Sequence, residues 1–263
     1  MALEGRPSAV EKHQWGAVTV MAGSDRYPGA AVLVVEGASR TGVDAVSFVG
    51  PRRAAEEVLR RNPSSPNTAI DRGAFAASDL GGLPHLWDDV IVIGPGIGQE
   101  DDVTSFVEGV ITRATRAVVL DADAIGALRT QRKHRVPIVV TPNHKEFHRL
   151  TGHDVREDTV ASAAREFSVT ILAKGEVDII SDGQRTAHVE GGSIYLAKDG
   201  TGDVLAGIVG ALVARENDHF EACRLSALVM KDAGARAFKK YGQGMVASDI
   251  PDCIDTAVNL DDA

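Results

Sequence analysis

Short runs rich in Val, Ile and Leu recur along the chain at Ala17–Met21, Asp44–Phe48, Asp89–Gly94, Ala117–Asp121, Pro137–Thr141 and Val169–Ala173. They are apolar at nearly every position rather than every second one, which predicts strands buried on both faces of a parallel sheet. Between them, Ala30–Thr41, Arg52–Arg61, Val103–Ala114, Ala124–Arg129, Lys145–Thr151 and Glu157–Phe167 read as helices. Strand–helix alternation of this kind predicts an α/β protein, a three-layer α/β/α sandwich around a central, mostly parallel sheet. Later the rhythm changes. Val177–Ser181 and Arg185–Glu190, joined through Asp182 and Gly183, predict a hairpin, and two long helices follow from Asp203 and Phe220. The one Pro/Ser-rich loop, Asn62–Pro66, is too short to link domains, so residues 1–263 are expected to form a single domain.

Ligands in open α/β sheets bind beyond the carboxyl ends of the strands. The unusual residues sort onto that edge: Gly23-Ser24, Gly94-Pro95-Gly96-Ile97-Gly98, Asp121-Ala122-Asp123, Thr141-Pro142-Asn143 and Lys174-Gly175 each follow a predicted strand. One glycine turn proves nothing, but five such clusters on one edge describe a cleft.

Gly200-Thr201-Gly202-Asp203 leads into an apolar stretch, Val204–Ala214, that predicts a buried helix. A glycine loop feeding a helix start presents unpaired N–H groups and the positive end of the helix dipole, an anion site. Asp203 sets a carboxylate in the same place. There it would repel a phosphate it merely sat beside, but it suits a base for a hydroxyl attacking that phosphate. The alternative is an N-cap, a role Asp also fills.

Asn143 and Glu146, three apart at a strand end, could hold a hydrated Mg²⁺, with Glu146 acting through water. A capping box is the structural alternative, and both can hold at once. His144 and His148 lie four apart, but a third ligand and the HExxH order are missing, which disfavours zinc. Asp121 and Asp123 read as metal ligands, substrate ligands or helix caps, with capping the simplest role for at least one. Lys174 could place an ammonium near a nucleotide, or be solvated like most strand-end lysines.

Composition narrows the classes further. A formal charge of −9 argues against nucleic-acid and anionic-membrane partners, which call for clustered Lys and Arg. Cys223 and Cys253 lie far apart without metal or disulfide spacing, which predicts a reducing cytoplasm. The first fifteen residues lack the apolar core of a signal peptide, and Val204–Ala214 falls short of the ~20 residues that span a bilayer.

The glycine–Asp203 loop before a buried helix resembles the ribokinase-like superfamily. In detail the chain resembles the ADP/ATP-dependent NAD(P)H-hydrate dehydratase family from about Lys12 to Ile254. His13-Gln14-Trp15-Gly16, Ala22-Gly23-Ser24, Tyr27-Pro28-Gly29-Ala30 and Arg40-Thr41-Gly42 resemble its opening segment. Gly94–Gly98 is similar to its GPGLG loop, Leu120–Ala124 to its LDADA strand end, and Thr141–Phe147 to its TPNHxEF form. The resemblance implies a ribokinase-like fold and a repair enzyme that restores NADH or NADPH from its hydrate, NADHX or NADPHX, at the expense of ADP or ATP with Mg²⁺. It implies contacts to the hydrate from Ala30, Gly96, Gly98, Asn143, His144, Lys145, Glu146, Phe147, His148 and Arg149, with Asp203 as catalytic base. Lys174, Gly175, Glu176, Val177 and Asp178, together with Gly200, Thr201 and Gly202, would face the nucleotide. A homo-oligomer is expected, and the epimerase domain fused to many relatives is not.

The chain departs from the family pattern at four places. Many members have His at Asn143, Gly at Lys145, and small residues at Lys198 and Asp199. An extra carboxylate at Asp199 should weaken nucleotide binding unless Lys198 or a metal offsets it. Two other readings share the glycine–Asp203 loop: a ribokinase-like kinase for a vitamin precursor, and a catalytically silent nucleotide-binding regulator. The first lacks this set of strand-end motifs, and the second has no need of Asp203.

Overall fold

A computed structural model describes residues 15–83, 89–129, 134–216 and 218–254. His13 and Gln14 of the opening motif lie outside the described residues. Strands β1 (Ala17–Met21), β2 (Ala45–Pro51), β3 (Asn67–Ile70), β4 (Val90–Ile93), β5 (Val118–Leu120), β6 (Ile138–Val140), β7 (Thr170–Ala173), β8 (Asp178–Ser181) and β9 (Thr186–Val189) form one sheet in the order β3-β2-β1-β4-β5-β6-β7-β8-β9. Every pairing from β3 to β7 is parallel, and β8 and β9 close the edge antiparallel.

Alternate residues of the central strands feed two cores. Val18, Val20, Val90, Val92 and Val119 point to one face, where they meet α1 (Pro28–Arg40), α2 (Arg52–Arg61), α6 (Thr201–Arg215) and α7 (His219–Tyr241). Met21, Ile91, Ile93, Val118 and Leu120 point to the other, against α3 (Asp101–Arg113), α4 (His144–Thr151) and α5 (Glu157–Phe167). Burial on both faces is why these strands read as continuous apolar runs. The first layer is tightest where α1 crosses α6: a Cβ on Gly207 would lie 2.1 Å from the Val34 carbonyl oxygen, so only glycine admits that approach. This crossing fixes α6, and with it the first helical turn that carries Asp203.

The sequence reading needs three adjustments. Strand β3 was not predicted; it is short, polar and only half-buried, so its apolar signal is weak. Residues Ala122–Arg129 form a 3-10 segment instead of an α-helix, entered through Ala122 at φ 47°. Helix α6 starts at Thr201, two residues before Asp203. Among the described residues, no helix is long and apolar enough to cross a membrane.

Candidate active site

The strand order reverses between β1 and β4, and such a switch point opens a crevice at the carboxyl edge of the sheet. The Gly23 N–H donates to the Pro95 carbonyl across this point at 2.8 Å. Gly94 lets the next strand end close in, since a Cβ there would stand 1.8 Å from the Asp121 carbonyl oxygen. Further along the loop, a Cβ on Gly96 would meet the Cβ atoms of Tyr27 and Ala30 at 2.9 and 3.0 Å, so Ala30 and Gly96 share one wall. Asp123 holds the loop in place. Its carboxylate accepts from the Gly98 N–H at 2.9 Å and from Gln99 Nε2 at 2.8 Å.

Asp121, 1% exposed, accepts from Thr141 Oγ1 at 2.7 Å and from Lys174 Nζ at 2.6 Å. Neither Asp121 nor Asp123 spends its side chain on capping, contrary to the simplest sequence reading. Nor is Lys174 a solvated strand-end lysine. Its ammonium lies 3.9 Å from Glu146 Oε2 and 3.2 Å from where a Cβ on Gly202 would sit, so it bridges the ends of β5, α4 and α6. Burial works against the charged ammonium, but the Asp121 and Glu146 carboxylates outweigh it and raise the pKa above the ordinary lysine value.

Helix α4 opens with a capping box. Glu146 N–H donates to Asn143 Oδ1 at 2.9 Å, and Asn143 N–H to Glu146 Oε2 at 2.8 Å. Burial pushes the Glu146 carboxyl up, the Lys174 ammonium pulls it down, and Asp121 pushes it up again. On the same helix Lys145, His148 and Arg149 are exposed, whereas Phe147 is fully buried in the second core. The Phe147 ring is thus a packing element. The histidines part company, with His148 Nδ1 facing Asp154 at 3.5 Å and His144 Nε2 lying against Gly175. No group of three or more His, Cys, Asp or Glu arranged for a metal ion occurs among the described residues.

The segment after β7 is a tight turn in which the Gly175 N–H donates to Asp178 Oδ1 at 2.8 Å. Val177 is half-buried, and the Glu176 side chain is exposed. Sequence reasoning missed what lies beneath it: Lys231 of α7, 6% exposed, donates to the Glu176 carbonyl at 2.9 Å and pairs with Asp178 at 3.3 Å. The available signal was a lysine on a stripe with Ala227 and Gly234, where an apolar residue is expected.

Gly200, at φ 87°, is the N-cap of α6 and gives no side-chain cap. Thr201 turns its hydroxyl back to the Leu196 and Lys198 carbonyls at 2.6 and 2.9 Å. The next amide, of Gly202, has no acceptor among the described residues. Asp203 is the third residue inside the helix, not its N-cap, and none of the described residues hydrogen-bonds its carboxylate. Burial, then repulsion from Asp121, raises its pKa to about 7; Lys174 opposes this, while Glu146 and Asp123 add to it. Lys198 does not offset Asp199, because its ammonium is fixed on the Gln243 and Met245 carbonyls at 2.8 and 2.6 Å.

A helix-start amide that no described residue engages and a held ammonium are groups that could receive an anion, beside a carboxylate that no described residue hydrogen-bonds. The fold belongs to a known class: a ribokinase-like superfamily protein of Enterococcus faecalis superposes with a TM-score of 0.84 at 21% identity, over 95% of this chain and 89% of that one. Residues 18–256 match the family model for NAD(P)H-hydrate dehydratase, and the chain belongs to that family. The ADP-dependent (S)-NAD(P)H-hydrate dehydratase of Natrialba magadii is 32% identical over 91% of each chain. The ADP/ATP-dependent NAD(P)H-hydrate dehydratase of Bacillus subtilis, co-crystallised with ATP and Mg²⁺, superposes with a TM-score of 0.81 at 26% identity, covering 96% of this chain and 92% of that one. The bifunctional NAD(P)H-hydrate repair enzyme of Hyperthermus butylicus is 32% identical over 98% of this chain and 52% of its own. The chain thus spans about half the length of the bifunctional relatives it matches.

Proposed function

We propose that the protein is a hydro-lyase that restores NADH or NADPH from the hydrated cofactor, using ADP or ATP as phosphate donor. The observation that carries the mechanism is the Asp203 carboxylate at the first turn of α6, which none of the described residues hydrogen-bonds and whose pKa is raised to about 7. A general base works best with a pKa near the working pH.

In this reading the terminal phosphate of the nucleotide lies at the start of α6, against the Gly202 amide and the Lys174 ammonium. The hydrate occupies the wall formed by Ala30, Gly96 and Gly98 and the opening of α4 from Asn143 to Arg149. Asp203 takes the proton of the hydrate's hydroxyl as its oxygen bonds to phosphorus and the bond from phosphorus to the donor's bridging oxygen breaks. The phosphorylated carbon then loses inorganic phosphate, driven by the lone pair of the ring nitrogen. A proton leaves the adjacent carbon, and the double bond is restored. Positioning and charge stabilisation are most of what phosphoryl transfer asks of a protein. The Lys174–Asp121–Thr141 chain supplies the positioning by fixing the ammonium before any ligand arrives.

Among the described residues no ready-made group of metal ligands stands here, so Mg²⁺ would depend on the nucleotide as well as on the protein. Asp121 is engaged by Lys174 and Thr141, and Asp203 is reserved for the proton, so Glu146 would hold the ion through water alongside its capping bond to Asn143. There Mg²⁺ would neutralise charge on the transferring phosphate. Free cysteines at Cys223 and Cys253 fit a reducing cytoplasm, and the family resemblance favours a homo-oligomer.

Hydrated NADH, nucleotide and Mg²⁺ incubated with the protein should regain absorbance at 340 nm, with one phosphate released per NADH formed. A phosphorylated product that accumulates without NADH would identify a small-molecule kinase instead.

A further inference from the structure

We propose that Lys231 is a positioning residue for the nucleotide: a buried strut that shapes the 174–178 turn from beneath. The inference rests on the nucleotide assignment of that turn made above. Lys231 sits in the middle of α7, far from the cleft in sequence, on a stripe that otherwise buries Ala227 and Gly234. An unpaired ammonium there would be costly, since burial disfavours the charged form. All of its donors are nevertheless directed at the turn. Its Nζ lies 2.9 Å from the Glu176 carbonyl, 3.4 Å from the Gly175 carbonyl and 3.3 Å from Asp178 Oδ2. The other oxygen of Asp178 accepts the Gly175 N–H at 2.8 Å, so one carboxylate joins the strut to the inside of the turn.

These contacts account for the carbonyls of Gly175 and Glu176 and leave the outer face of the turn for a ligand. Lys174, whose ammonium reaches the first turn of α6, enters this same turn. Its backbone N–H is held by the Pro142 carbonyl at 2.8 Å. The turn is thus fixed at its entry by the segment that follows β6 and from below by α7. Loss of the lower support should loosen residues 175–178 without moving Asp203, or Ala30, Gly96 and Gly98 of the hydrate wall, which rest on α6, α1 and the loop after β4. A turn ordered in advance spares the nucleotide the cost of ordering it.

The test uses the full chain and two variants, Lys231→Met, which keeps the bulk, and Lys231→Gln, which keeps a donor without the charge. Calorimetric titration with ADP and with ATP, well below the Tm of each variant, should show Lys231→Met weakening Kd by about tenfold or more. Lys231→Gln should fall in between. In turnover assays the nucleotide KM should rise while kcat at saturating nucleotide and the KM for hydrate stay near wild type. A lower Tm with Kd for both nucleotides within twofold of wild type would overturn the inference and leave Lys231 a packing residue. Equal losses in the KM for hydrate and for nucleotide would also overturn it. Wild-type turnover tests the reaction separately: a weakened Kd in the variants without any wild-type dehydration would keep the strut and refute the reaction.

Discussion

Asp203→Asn should abolish most activity and, at alkaline pH, stabilise the fold. The folded carboxyl titrates at about 7 against an ordinary 3.8 because burial and the nearby Asp121 penalise its charge. Stability from the protonated carboxyl is therefore fully present below about pH 4 and is lost as pH rises through about 7. At 1.36 kcal/mol per tenfold the whole span is about 4 kcal/mol. Partial solvent exposure of the group reduces this to roughly 1–3 kcal/mol. Asparagine stays neutral at every pH, so at pH 8 the variant should melt several degrees above wild type, while at pH 4 the two should coincide. Turnover at saturating nucleotide should fall by about 10²–10⁴-fold, the range of a general base. Thermal melts from pH 4 to 8 and steady-state turnover measure the two effects on one pair of proteins. A drop smaller than tenfold with nucleotide still bound, or a lower melting temperature at pH 8, would refute the reasoning and return Asp203 to a helix-stabilising role.

Three further outcomes follow from the same cluster. Wild-type kcat/KM should rise with pH along a limb near pH 7, because Asp203 must be ionised to accept a proton; Lys174→Met removes the cation that opposes the shift, so the limb should move to higher pH as nucleotide KM increases, and an unmoved limb would separate Lys174 from Asp203. Glu146→Gln should raise the Mg²⁺ needed for half-activity; a change in thermal stability alone would leave Glu146 as half of a capping box. Asp199→Gly should tighten nucleotide binding most at low Mg²⁺, since Lys198 is committed to the Gln243 and Met245 carbonyls; equal affinity with and without Mg²⁺ would mean that Asp199 points away from the phosphates.

Most of the sheet was legible because strands buried on both faces announce themselves as unbroken apolar runs, as Val90–Ile93 does. β3 was not, since an edge strand of Asn, Thr, Ala and Ile buries little. The strand-end rule also placed the candidate site, but it could not say what each side chain was bonded to. Asp121, Asp123 and Lys174 looked like caps or solvated groups because their partners are distant in sequence: Thr141 and Lys174 lie 20 and 53 residues from Asp121, and Gly98 and Gln99 lie 25 and 24 from Asp123. Lys231 was hidden for the same reason: its contacts lie some 55 residues distant, in a turn on another layer. Phe147 shows the reverse limit: the motif names the residue, but its ring packs into the second core.

The account rests on phosphorylation of the hydrate's hydroxyl before that oxygen leaves. Hydrate carrying ¹⁸O in this hydroxyl, turned over by the wild-type protein with unlabelled nucleotide and Mg²⁺, distinguishes this route from direct loss of water. The account predicts that the label appears in inorganic phosphate, one heavy oxygen for each NADH formed. Label released in water, with phosphate left unlabelled, would contradict it.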